Sequence, residues 1–285
     1  MIENEFFKLK AQVEGGEITS IISKKTGKEY IWQADAKYWS SHAPVLFPII
    51  GALKNNKYVF EGKEYEMPKH GIFRRNKDIQ IVEQSQHSIC FALTSNESTL
   101  KQFPFTFQFR VRYSLEGNKI LVTHEVENLG ENTMPFAIGG HPAFNCPEGI
   151  ENYYLEFEKE ENDHAVVLSE EGLITDRTKP MLSGNTLGLT KSIFDEDALI
   201  FKNLNSRSVQ LKNRLNENYI QVDFHDFPYL GVWSKPTAPY VCIEPWLGIA
   251  DHVNTSGKFI EKDNIQLLEQ GKTFQNSFAI YIYEN

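Results

Sequence analysis

The chain has 285 residues, 41% of them hydrophobic and 13% aromatic, which supplies a sizeable core and excludes a disordered chain. A net charge of −9 excludes nucleic acid and anionic membrane surfaces as general partners, while leaving room for a local basic pocket. The three cysteines, Cys90, Cys146 and Cys242, are widely spaced with no CxxC, which argues against a disulfide framework or structural zinc and for three small buried residues in a reducing compartment.

The start, Met1-Ile-Glu-Asn-Glu-Phe6, has neither a basic n-region nor an apolar h-region. No stretch approaches the roughly 18 consecutive apolar residues of a membrane span. The expectation is a soluble cytoplasmic protein without membrane contact. Period-2 alternation then dominates the chain. It marks Ile18–Ser23, Tyr58–Phe60, Ile79–Val82 and Ile89–Leu93, separated by turn signals such as Lys25-Thr-Gly27 and Glu61-Gly62. Glu97–Phe103 reads as one short helix stopped by Pro104. Next, Phe105, Phe107, Phe109, Val111 and Tyr113 share one face, and Leu115-Glu-Gly-Asn118 turns the chain into a run with Ile120, Val122, His124 and Val126 on one side. This is a half-buried antiparallel hairpin, and His124 is read as a core histidine. Ile220–Phe224 and Phe278–Tyr283 close the series. With no βαβ alternation, phosphate-binding glycine loop or repeat, the predicted fold is all-β: a single large antiparallel β-sandwich domain over residues 1–285.

Chemistry is then to be sought in Pro- and Gly-rich stretches at strand ends and loops. Cys242-Ile-Glu-Pro-Trp246 places Glu244 after an apolar run that Pro245 closes, beside Trp246, where partial desolvation makes a carboxylate a better proton acceptor. Trp246 offers a flat face of the kind sugars pack on. His141 lies between Gly139-Gly140 and Pro142, a rigid setting that orients an imidazole for general-acid work. His70 precedes Gly71 and lies near Arg74 and Arg75; with Lys69 these form a small basic group. Each feature also has an ordinary reading: a strand-capping Glu, loop histidines bonded to backbone, a solvated basic turn. His252 is a further histidine beside the Glu244 segment. There is no HExxH, Cys/His cluster or GxSxG, so neither a metal, a cofactor nor a serine nucleophile is expected. Asp197 with Glu244 leaves glycoside hydrolysis as a competing chemistry.

In order along the chain, Phe47-Pro-Ile-Ile-Gly51, His70-Gly-Ile-Phe-Arg74, Gly140-His-Pro-Ala-Phe-Asn145, Asp197-Ala-Leu-Ile-Phe201, Gly231-Val-Trp-Ser-Lys-Pro236 and Cys242–Asp251 resemble the aldose 1-epimerase (galactose mutarotase-like) family, in particular its LacX-type branch. The resemblance implies interconversion of the α and β anomers of a free hexose such as galactose or glucose. By it, Glu244 is the general base, His141 the general acid and His70 a donor to the ring-oxygen region, while Arg74, Asp197 and Trp246 position the sugar. The partner expected is a small sugar, bound by a monomer or homodimer. The chain departs from the family at Ala52, where galactose mutarotases carry arginine. It has Ser40-Ser-His42 where a hexose-6-phosphate branch carries another arginine. A phosphosugar mutarotase and a non-catalytic sugar binder of the same fold are the alternatives.

Overall fold

The computed structural model describes residues 1–284. Its frame is two large antiparallel sheets. The nine-stranded sheet runs, edge to edge, through Thr186–Gly188, Tyr153–Phe157, Ser208–Asn213, Tyr219–Asp223, Thr273–Tyr283, Lys119–Asn128, Phe107–Glu116, Ser88–Thr94 and Gln80–Gln84. The second sheet orders Ile174–Lys179, Ala165–Leu168, Leu199–Phe201, Tyr229–Trp233, Tyr240–Leu247, Ile138–Gly140 and Val45–Leu46, with Ala143–Asn145 also paired to Tyr240–Leu247. A three-stranded sheet near the N-terminus and two short pairs complete the strands. The helix is Glu97–Gln102, capped by Asn96 through a reciprocal bond with Thr99. No described helix is long and apolar enough to cross a membrane.

Alternation explains the layers. Phe107, Phe109, Val111, Tyr113 and Leu115 point inward, while Arg110 and Arg112 on the other face pair with Glu125, Glu127 and Glu83 across neighbouring strands. From the second sheet, Val241, Ile243, Leu230, Val232, Leu199 and Phe201 enter the same core. Each fully buried Phe of this core stabilises the fold by about 1.5–3 kcal/mol relative to exposure.

The opposite face of the second sheet is not solvated. Tyr240, Cys242 and Trp246 on one strand, Tyr229 on the next, and Val166, Leu168 and Ile200 beyond it form further apolar clusters there. A sheet covered on both faces leaves its outer layer free to build a pocket. The expectation that Pro245 ends the Glu244 strand fails: the strand continues through Pro245 and Trp246 to Leu247. Proline is tolerated because Leu230 lies opposite on one side, while the partner on the other side loses ladder pairing at this level.

The three cysteines are free and buried. His124 is fully buried, opposite Asn276 in the register and ringed by Phe109, Phe227 and Phe278. Burial pushes its imidazole down to about 4, with Asn276 opposing. The unfolded chain therefore takes up a proton that the fold refuses as pH falls from 6.5 toward 4. That gap is worth about 3 kcal/mol of stability, present at neutral pH and lost in this window. His124→Leu is expected to lose less stability than wild type between pH 7 and 4 in urea unfolding; equal losses would disprove the assignment.

Candidate functional site

The pocket forms where one strand loses its ladder pairing. Gly139 pairs with Trp246 and Ala143 with Cys242, so the continuous register sets His141 directly opposite Glu244. Directly opposed residues share a face, about 4.5–5.5 Å apart at Cβ. The ladder thins between those two points because Pro142 has no N–H to donate. The His141 amide donates to Pro44 O at 2.9 Å, and Pro142 O accepts from the Ile243 amide at 3.2 Å. His141 is thus a strand-gap residue rather than a loop residue, and Glu244 lies mid-strand rather than at a strand end.

The two side chains approach within 3.3 Å, Nε2 to Oε2, with Glu244 only 1% exposed. Burial pushes the Glu244 carboxyl well above its usual range; Lys69, the Trp246 indole and Arg74 pull it down, and Asp197 adds to the rise. Burial likewise pushes His141 down to about 3, helped by the Arg74 charge. Burial thus disfavours the charged form of both partners. Trp39 stacks on the His141 ring at 4.9 Å and 26°, and Trp233 meets it edge-on at 5.7 Å.

His70 is held by a reciprocal pair of bonds: its amide donates to Gly51 O at 2.9 Å, and the Gly51 amide donates to His70 Nδ1 at 3.2 Å. Nδ1 is the acceptor, so Nε2 carries the proton of the neutral ring. Burial, then the charges of His141, Lys69 and Arg74, hold His70 well below the usual imidazole value. The turn needs glycine next: Gly71 has φ +83, and a Cβ there would meet Phe47 O at 2.1 Å. Arg74 follows the core anchor Phe73 and is half-buried, with Nη2 3.5 Å from Ser41 Oγ; Arg75 is exposed. Asp197 occupies a left-handed turn (φ 76) beside buried Phe194, and its Oδ1 accepts from the Ala198 amide. The indole of Trp246 lies across its sheet between Gly139 and Gly231, where a Cβ would meet the ring at 2.9 and 2.8 Å.

These six residues, Glu244, His141, His70, Arg74, Asp197 and Trp246, line one cavity of about 270 Å³. Asp195 does not reach it, which separates the two aspartates. His252 lies elsewhere, 3.2 Å from Asp176. Sequence reading missed Trp39, Tyr38, Trp233 and Lys235 on the same cavity. A signal existed for the first pair, two adjacent aromatics within an otherwise polar loop. Four of the ten buried side-chain atoms without a hydrogen-bond partner among the described residues belong here: Arg74 Nε, His141 Nδ1, Glu244 Oε2 and Trp246 Nε1. Unsatisfied buried polar atoms are costly, and these four meet around one cavity. His141, Cys242 and Glu244 bring donor atoms within 4.8 Å of one another. The Lys69 and Arg74 charges bearing on Glu244 oppose a divalent ion there.

Residues 1–281 match the aldose 1-epimerase family. The plasmid-encoded protein LacX of Lactococcus lactis subsp. lactis is 35% identical over 295 residues, covering 99% of this chain and 98% of LacX. A galactose mutarotase related enzyme from Lactobacillus acidophilus superposes with a TM-score of 0.93 at 36% identity, covering 99% of this chain and 96% of its own. A galactose mutarotase-like protein from Lactobacillus casei gives 0.94 at 30%, covering 99% of both.

The raised Glu244 carboxyl has a stability consequence. Its folded pKa lies above the unfolded one, so stability present at low pH is lost as pH rises through the folded value. Glu244→Gln removes that loss. Its unfolding midpoint is expected to match wild type near pH 4 and exceed it at pH 8, checked by thermal melts at both; a variant less stable than wild type at pH 8 would refute the burial argument.

Proposed function

The chain belongs to the aldose 1-epimerase family, and on that premise we propose that it interconverts the α and β anomers of a free hexose such as galactose or glucose. The supporting observation is the buried His141–Glu244 pair among unsatisfied polar atoms. In this reading, sugar hydroxyls occupy those atoms and stabilise the Glu244 carboxylate, with a proton on His141. Glu244 then takes the proton from the C1 hydroxyl as the C1–O5 bond breaks, and His141 delivers its proton to O5. The open-chain aldehyde rotates about C1–C2. Reclosure reverses both transfers, so the cycle consumes no proton and calls on no redox partner.

The other residues hold the ring. His70 Nε2–H is suited to donate to the ring-oxygen region, and Asp197 to accept from hydroxyls. Arg74 Nε and Trp246 Nε1 supply further donors. Trp39 fixes the His141 ring by stacking, which keeps the acid aligned through the cycle.

A second reading rests on charge. Lys69, Lys235 and Arg74 all border the cavity, and none is ion-paired among the described residues of an acidic protein. A sugar phosphate would satisfy that cluster.

The test is anomer exchange followed by polarimetry or NMR on fresh α-glucose, α-galactose and glucose 6-phosphate. Wild type is expected to accelerate exchange of a free hexose, and Glu244→Gln to lose roughly 10²–10⁴-fold of it. Near-normal exchange in that variant would sink the base assignment. Preference for the phosphate, lost in Arg74→Ala, would select the second reading. Saturable binding without exchange would leave a sugar binder.

A further inference from the structure

One buried carboxylate takes no part in the chemistry above. Glu17 is 8% exposed and precedes the strand Ile18–Ser23, behind the site. We propose that Glu17 is a positioning residue, which holds the Trp39–Pro44 segment so that Trp39 stays on His141 and Arg74 stays in the cavity wall. This rests on the epimerase reading above.

The segment from Trp39 to Pro44 belongs to no helix or strand, so no ladder satisfies the His42 and Ala43 amides. Glu17 does so instead. Its Oε2 accepts from the Ala43 amide at 3.0 Å and the His42 amide at 3.3 Å, and its Oε1 accepts from Gln12 Nε2 at 2.8 Å. The carboxylate is rooted in the core, because the neighbouring Gly16 O accepts from the Tyr113 hydroxyl at 2.6 Å. Tyr113 stands on the inward face of the nine-stranded sheet. Three contacts then run from the held segment into the site. Trp39 stacks on the His141 ring, Pro44 O accepts from the His141 amide, and Ser41 Oγ lies 3.5 Å from Arg74 Nη2.

Charge points the same way. Arg74 lines both the site cavity and a smaller one of about 100 Å³, whose wall includes Glu17 and Ser41. Burial draws the Arg74 guanidinium down and the Arg75 charge adds to it, while Glu17 in one cavity and Glu244 in the other oppose. Burial likewise pushes the Glu17 carboxyl up, against the Ala43 and His42 amides and the His42 and Arg74 charges. Glu17 therefore ties down the segment that carries Trp39 and supports the partly buried charge of Arg74.

The test measures coupling. Glu17→Ala is expected to lower kcat/KM for anomer exchange about 10–100-fold, the scale of a slightly misplaced group. In a Trp39→Leu background the same substitution is expected to cost about threefold or less, because the contact it serves is already gone. Glu17→Gln keeps an oxygen for the two amides and drops the charge facing Arg74. It is expected to hold kcat near wild type and leave KM raised several-fold. Wild-type kcat/KM in Glu17→Ala, or an equal loss with and without Trp39, would overturn the proposal. Should Glu17→Ala fail to fold, Glu17→Gln decides: raised KM at unchanged kcat supports the role, and wild-type constants reject it.

If wild type turns over no sugar, the epimerase reading has failed on its own, and acrylamide quenching of tryptophan fluorescence takes over. Glu17→Ala is then expected to be quenched more strongly than wild type, with no such difference in a Trp39→Phe background. Equal quenching, or a difference that persists without Trp39, rejects the proposal.

Discussion

The site depends on a register. Antiparallel pairing sets His141 opposite Glu244 as firmly as it pairs Gly139 with Trp246 and Ala143 with Cys242. A slip of one residue would turn the His141 side chain to the opposite face of the sheet from Glu244. Pro142 removes one ladder donor without breaking that register, since its carbonyl still accepts from the Ile243 amide. Around this pair the neighbours are matched by size. Gly139 and Gly231 clear space for the indole, and Pro44, beside the short Val45–Leu46 strand, accepts from the His141 amide.

Burial, not the nearby cations, decides the electrostatics. Lys69 and Arg74 both draw Glu244 toward ionisation, and desolvation outweighs them. Arg74 itself is drawn down by burial, with the Arg75 charge adding to it. Two weakly solvated groups placed this close suit acid–base chemistry with no net uptake or release of a proton. The aromatic ring of Trp39, Trp233 and Tyr240 beside His141 enforces the low dielectric that makes this possible.

The architecture was readable because alternation is a local signal. Phe107, Phe109, Val111 and Tyr113 show their inward face in sequence, although the strand runs on through Leu115 to Glu116 where a turn was expected, and the predicted Ile18–Ser23 strand has the same bounds in the structure. Site residues in matched segments converge on one cavity, including Asp197 in preference to Asp195. What local reasoning could not supply was pairing. Pro245 read as a stop because the partner strand that excuses it is some hundred residues upstream along the chain. Trp39 and Trp233 were not singled out for the same reason: adjacent aromatics and a matched segment marked their stretches, but the ring contacts with His141 that give them importance are long-range. His70 gave no hint of its tautomer, which is fixed by the Gly51 amide.

The strand Thr273–Tyr283 occupies the middle of the nine-stranded sheet, between Tyr219–Asp223 and Lys119–Asn128. It is the last of the described strands to leave the ribosome. Until it arrives, two halves of the sheet carry open edges with no partner between them, so the sandwich closes only after synthesis has passed this strand. During translation those edges present unpaired N–H and C=O groups, a template along which two nascent chains can join in error. The same placement ties the site to the far layer: a chain truncated before this strand keeps the strands of the second sheet, where Glu244 and His141 face each other, and lacks the joined nine-stranded sheet that packs against them.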